Sequence, residues 1–124
     1  MLFRSFTNNV TISSNTTIVG DLSATGDIVA FSTSDQALKS NVTLITSALD
    51  KLLSLKGVEF DWVKGSPYSG HDIGVLAQDV EKVIPTAVKS RHDNIKHVNY
   101  DKIIPLIIEA IRELKNNGHS STRN

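Results

Sequence analysis

Between Tyr100 and Leu114 apolar side chains recur at steps of four, three, four and three: Tyr100, Ile104, Ile107, Ile111 and Leu114. That is the repeat of a coiled-coil seam, and a helix that carries it needs other helices beside it. Ile103, Leu106, Ile108 and Ala110 are apolar too, so this helix has more apolar surface than one seam covers. One face is expected to pack on the chain's own elements and the other to meet sister chains. Isoleucine along both seam positions favours three or four strands over two. At about 1.5 Å per residue, Tyr100 to Asn117 would span roughly 27 Å. Asn99 reads as its N-cap and Gly118 as its terminator, and Pro105 falls in the second turn, where it can kink the helix.

Composition bounds the rest. A chain of 124 residues suits one small domain plus an appendage, and 40% hydrophobic with 21% charged residues is an ordinary globular balance. Thirteen basic and thirteen acidic residues give a formal net charge of zero, so no basic field is present to hold nucleic acid or an anionic membrane surface. Without cysteine there is no disulfide framework, thiolate metal site or thiol nucleophile. No apolar run approaches the roughly 20 residues of a membrane span, and Met1 to Asn9 are too polar for a signal peptide. The sequons at Asn9, Asn15 and Asn41 matter only in a secretory pathway, for which nothing else argues.

Residues 8–33 alternate in β fashion, with Val10, Ile12, Ile18, Leu22, Ala24, Ile28 and Ala30 set among Thr, Ser and Asn. Gly20-Asp21 and Gly26-Asp27, six residues apart, read as turns between short strands. Such strands are marginal alone in water, so the segment is expected to be the end of a β-rich stalk wound with two sister chains. From Asn41 to Leu55, Ile45, Ala48, Leu49, Leu52 and Leu53 mark an amphipathic helix, with Thr43 or Asn41 as N-cap and Gly57 just past its end. Val58, Phe60 and Trp62 alternate as a half-buried strand, and Lys64 to Gly70 form a loop. Asp72 to Ala77 is expected to be a second strand running into a helix, Gln78 to Ile84, stopped by Pro85. Thr86-Ala87-Val88 and His97-Val98-Asn99 flank a hairpin or excursion loop over 89–96.

Between the two halves lies Ser34-Asp35-Gln36-Ala37-Leu38-Lys39. Lysine can serve as general base for a serine hydroxyl when burial favours its neutral form, and Ser-Lys pairs are a known variant of the serine nucleophile. The spacing also fits a plain Ser-Asp turn, with Ser34 or Asp35 capping the next helix.

Four stretches in one order separate these readings: Ser34 to Val42, Gly57-Val-Glu-Phe-Asp-Trp62, Ile73 to Pro85 (Ile-Gly-Val-Leu-Ala-Gln-Asp-Val-Glu-Lys-Val-Ile-Pro), and Val98 to Leu114. Together they resemble the C-terminal intramolecular chaperone auto-processing domain of endosialidases, phage tailspikes and tail fibres, a domain type also seen in myelin regulatory factor. The resemblance implies an α+β fold, a small mixed domain over 34–118 with a long C-terminal helix in a trimeric coiled coil. It places a β-rich trimeric fibre stalk before it, in residues 1–33, and leaves 119–124 as a disordered tail. It further implies a self-cleaving serine endopeptidase that acts once, in cis, with Ser34 as nucleophile and Lys39 as base. The resemblance favours the Ser34–Asp35 bond, whereas an N-to-O acyl shift at Ser34 opens Thr33–Ser34 instead. Implied partners are two further copies of the chain and its own upstream stalk. No cofactor, metal, nucleic acid or membrane is implied, and the implied location is the virion, after assembly in the host cytoplasm. Ala37 stands where many relatives carry arginine and Asp79 where many carry glutamate; neither change touches the dyad.

Two other functions are compatible with these residues: a trimerisation cap that never cuts, and a receptor-binding tip whose loops 64–70 and 89–96 contact a host surface. His71, His92 and His97 lack the spacing of metal ligands. Trp62, Phe60 and Tyr68 read as core and loop anchors before a sugar platform. Glu109, Arg112 and Glu113 read as a solvated or inter-helix ion-pair face. Glycines 70 and 74 do not have phosphate-loop spacing.

Overall fold

The computed structural model describes residues 8–121, with side chains to Gly118. The chain divides into two units, one ending at Ser40 and the other beginning at Asn41. In the first, residues 8–33 form no ladder: they run exposed, with bends at residues 14, 19–20 and 25–26. The expected turns therefore appear as bends at Gly20 and Gly26, but the expected strands do not form within one chain. Val10, Ile12, Ile18, Leu22 and Ile28 all stay open to solvent. Backbone pairing has to come from somewhere before such a segment is a sheet.

The second unit is a small mixed α/β arrangement with two two-stranded antiparallel sheets. Its elements are the helix Ala48–Leu53 (α1), strands Val58–Asp61 (β1) and His71–Gly74 (β2), helix Ala77–Val83 (α2), strands Val88–Ser90 (β3) and Lys96–Val98 (β4), and helix Ile104–Ser121 (α3). A 3-10 turn, Pro85–Ala87, comes after α2, and another, Tyr100–Ile103, leads into α3. In the first hairpin Val58 faces Gly74 and Asp61 faces His71. The pairing runs on one step through Trp62 N–H to Gly70 C=O at 3.0 Å. Gly70, at φ 91°, turns the chain where a residue with a Cβ would be strained. Phe60 and Trp62 meet edge to face at 5.0 Å, Tyr68 tilts against Trp62 at 4.8 Å, and Trp62 Nε1 donates to Asp72 at 3.2 Å. These rings hold the loop down, as expected of anchors. In the second hairpin Asn94, at φ 63°, closes the turn, and Asp93 accepts from Ile95 N–H at 2.9 Å. That bond holds the Asp93 carboxyl below its usual value.

Two small apolar clusters share Leu55 and Ile84. One joins α1 to α3 through Ala48, Leu106 and Ala110; the other gathers Val80, Ala87 and Ile103 with Val75, Val88 and Val98. Leu106 and Val80 are the largest fully buried side chains among the described residues, so the core is thin. Lys96 on β4 reaches both oxygens of Glu81 on α2 at 2.8 Å, tying the second hairpin to that helix.

Several boundaries differ from expectation. The helix expected from Asn41 begins only at Ala48, and neither Thr43 nor Asn41 caps it. Val42, Thr43, Ile45 and Thr46 are β-branched, and Asn41 and Ser47 lie at φ 54° and 53°, outside any helix. It also ends at Leu53, with Ser54 as C-cap, so Gly57 is not its terminator. The second strand stops at Gly74, two residues short of α2, and begins at His71 because that residue pairs with Asp61. Asn99 caps as expected, accepting from Asp101 N–H at 3.1 Å. Pro105 is the second residue of α3, where the 3-10 turn gives way to α-helix and a missing N–H costs little. Gly118 does not terminate α3, whose backbone continues to Ser121; the tail expected over 119–124 lies outside the described residues from 122 onward.

The cap of α1 comes from far along the chain. Glu113 on α3 accepts from Ala48 N–H at 2.9 Å and from Leu49 N–H at 2.8 Å, so one carboxylate holds two orphan donors of a helix start. Glu113 is therefore not part of a solvated face, and Glu109 is buried beside it, accepting from Arg112 Nε at 3.1 and 3.2 Å. The bonds from Leu49 and then Ala48 lower the pKa of Glu113 from 4.5. Its folded value lies below its unfolded one, so its contribution is complete above about pH 4.5 and fades as pH falls through the lowered value. Glu113→Gln keeps one acceptor and removes the charge. It is expected to lower Tm at pH 7 by about 5 °C and to flatten the dependence of Tm on pH below 4.5. Thermal melts of both chains at pH 3 and pH 7 check this; parallel curves would show that the carboxylate contributes nothing.

Candidate functional site

Ser34 precedes a single 3-10 turn, Gln36–Leu38. Asp35, extended at φ −64° and ψ 133°, starts it: its Oδ1 accepts from Ala37 N–H at 2.8 Å and its carbonyl from Leu38 N–H at 3.1 Å. A second turn bond, Lys39 N–H to Gln36 C=O at 3.0 Å, bends the chain back on itself. Lys39 Nζ then lies 2.7 Å from Ser34 Oγ and donates to it. Five residues of extended chain would span about 17 Å, so the turn is what lets this pair meet. Of the two candidate caps, Asp35 is the one that caps the turn, and the Ser-Lys contact forms beside it.

The contact distance suits proton transfer in either direction. Ser34, Asp35 and Lys39 are exposed in the single chain. Desolvation is what favours a neutral lysine amine, the form able to take a proton from serine.

Leu106 and Ala110 face α1 and are buried, while Tyr100, Ile104, Ile107, Ile111 and Leu114 are 54%, 53%, 38%, 60% and 57% exposed. Ile108, beside them, is exposed as well. A row of this kind on a helix whose neighbouring face is already packed is an apolar stripe left exposed in the single chain. Tyr100 differs from the other four. It lies in the 3-10 turn, and its hydroxyl accepts from Val75 N–H at 3.2 Å. Gly74 permits this approach, because a Cβ there would stand 2.8 Å from the hydroxyl oxygen. Sequence periodicity assigned Tyr100 to the seam without showing that tie to the chain's own hairpin.

No group of three or more His, Asp or Glu side chains among the described residues is placed to hold a metal ion. His71 instead sits between cross-strand carboxylates, 2.8 Å from Asp61 and 3.7 Å from Glu59, and His97 Nε2 is enclosed without a hydrogen-bond partner. No helix among the described residues is long and apolar enough to cross a membrane. A shallow apolar groove of about 450 Å³, open to solvent, is lined by residues of β1 and β2 and by Tyr100.

Comparison with known proteins converges on the same segment. The family described as the chaperone of endosialidase, a peptidase family by name, matches residues 34–89, beginning at Ser34 itself. The chain is 36% identical to the Long tail fiber protein Gp37 of Enterobacteria phage K3, over 65% of this chain and 7% of that one. It is 36% identical to the Gp37 of Enterobacteria phage T2, over 65% of this chain and 6% of that one. The chain thus spans well under a tenth of the length of these relatives.

Proposed function

We propose that this chain, whose residues 34–89 match the family described as the chaperone of endosialidase, brings three copies of a phage tail fibre into register and then cuts itself loose beside Ser34. The carrying observation is the 2.7 Å contact of Lys39 Nζ with Ser34 Oγ at the first residue of the family match. Lys39 in its neutral form takes the Ser34 hydroxyl proton. The alkoxide oxygen attacks the carbonyl carbon of Thr33 through a five-membered ring, and the Thr33–Ser34 amide becomes an ester as the nitrogen leaves protonated. Water then opens the ester, giving a carboxylate at Thr33 and a free amine at Ser34. Opening Ser34–Asp35 instead cannot proceed by Ser34 attacking its own carbonyl without a strained four-membered ring, so that outcome needs the serine of a sister chain or an activated water.

Assembly obeys the same physical logic. Intermolecular strand pairing is slow because association entropy is spent before any contact forms. The exposed stripe Ile104, Ile107, Ile111 and Leu114, with Tyr100 at its start, supports a trimer through α3 that holds three stalk segments together, each at an effective concentration in the millimolar range. Residues 8–33, exposed and without a β-ladder in one chain, are the natural recipients. Cleavage afterwards leaves a virion fibre without the piece needed to refold it, which makes it kinetically stable.

The test is the mass of the product expressed with its upstream fibre. The unaltered chain is expected to give two fragments parting beside Ser34, and Ser34→Ala one intact chain. An N-terminal Ser34 on the released piece identifies the acyl shift, and an N-terminal Asp35 the alternative bond. An intact unaltered product, still trimeric, would instead make the domain a cap that never cuts.

A further inference from the structure

We propose that Asp35 is the positioning residue of the Ser34–Lys39 pair, acting through the turn it closes; this rests on the self-cleavage proposed for that pair. Its carboxylate touches neither reacting group. Oδ1 accepts the Ala37 amide at 2.8 Å, and the same residue's carbonyl accepts from Leu38, so Asp35 supplies both acceptors that start the turn. The turn then hands the chain to Lys39 N–H on Gln36 C=O, and this fold of the backbone puts Nζ on Oγ.

An acceptor at this position is what the role demands, not a charge, so asparagine should substitute and alanine should not. The first-order cleavage rate of purified, uncleaved precursor is measured for the unaltered chain, Asp35→Ala, Asp35→Asn, Ser34→Ala and Lys39→Ala, each across pH. Asp35→Ala is expected to cut about fivefold more slowly, the equilibrium factor of a lost cap, and Asp35→Asn to recover to within about twofold with an unchanged pH profile. In an uncleavable Ser34→Ala background, hydrogen exchange at the Ala37 amide should be faster once Asp35→Ala is added and not with Asp35→Asn. Asp35→Ala cutting at the unaltered rate overturns the proposal, and so does Asp35→Asn as slow as Asp35→Ala. If Ser34→Ala and Lys39→Ala are processed normally, it is the dyad itself that fails, and this proposal with it.

Discussion

Lys39→Arg is expected to leave the precursor essentially uncut, with the rate down by about 10²–10⁴. The substitution is informative because arginine preserves most of what the structure shows. A guanidinium can still donate to Ser34 Oγ, still carries a positive charge and still sits at the end of the same turn, yet it does not give up its proton. If Lys39 serves only to orient the hydroxyl or to stabilise a developing negative charge, Lys39→Arg should cut at nearly the unaltered rate. If it serves as the base, processing stops, and the rate of the unaltered chain rises with pH as the neutral amine becomes more abundant. The assay is a time course on denaturing gels of precursor isolated before cleavage, run across pH. The exposure of the pair in a single chain adds a further expectation: the base becomes effective when neighbouring copies exclude water from it. Processing of the unaltered chain should therefore slow on dilution below the dissociation range of the proposed trimer, while an intrinsic cis reaction at an already competent dyad would not change.

Local signals in the sequence were those carried by neighbouring residues. Asn99 caps the turn into α3 through Asp101, two positions away, and Pro85 ends α2 because its ring and missing N–H allow nothing else there. The two hairpins arise from alternation and turn residues in the same way. What could not be read is what depends on distant partners. The start of α1 is fixed by Glu113, 65 residues from Ala48 and 64 from Leu49, and apolar periodicity alone extended that helix back to Asn41. At Gly118 the reverse holds: a glycine is free to stop a helix but does not oblige it to, and α3 runs on. The Ser34–Lys39 spacing is visible as two letters five apart, and the sequence offers Ser34 or Asp35 as a turn cap in its place, but it does not show that the Asp35 cap and the Ser-Lys contact occur together. The β alternation of residues 8–33 forms no ladder among the described residues, so the strands it suggests are expected only where other copies supply the edges.

That assembly is where the largest physical effect is expected. Ile111→Asp should convert the trimer proposed through α3 to a monomer without unfolding the second unit. Ile111 is 60% exposed, and the α1–α3 cluster is built from Ala48, Leu106 and Ala110 on another face of the helix, so one chain loses no packing. In a trimer each copy would bury this side chain, worth about 1.5–3 kcal/mol apiece, or roughly 5–9 kcal/mol over a layer of three. Three carboxylates meeting in one layer add repulsion and desolvation on top of that loss. Association should weaken by at least about three decades. Ile95→Asp is the matched control: Ile95 is 57% exposed in the β3–β4 turn, away from α3, and should leave the mass unchanged. Sedimentation equilibrium gives the mass of each variant, and far-ultraviolet circular dichroism reports whether the helices persist. A monomeric, folded Ile111→Asp chain that is also uncut would tie processing to trimerisation through α3. If that variant sediments as a trimer, the stripe from Ile104 to Leu114 is not the seam, and the registering role falls with it.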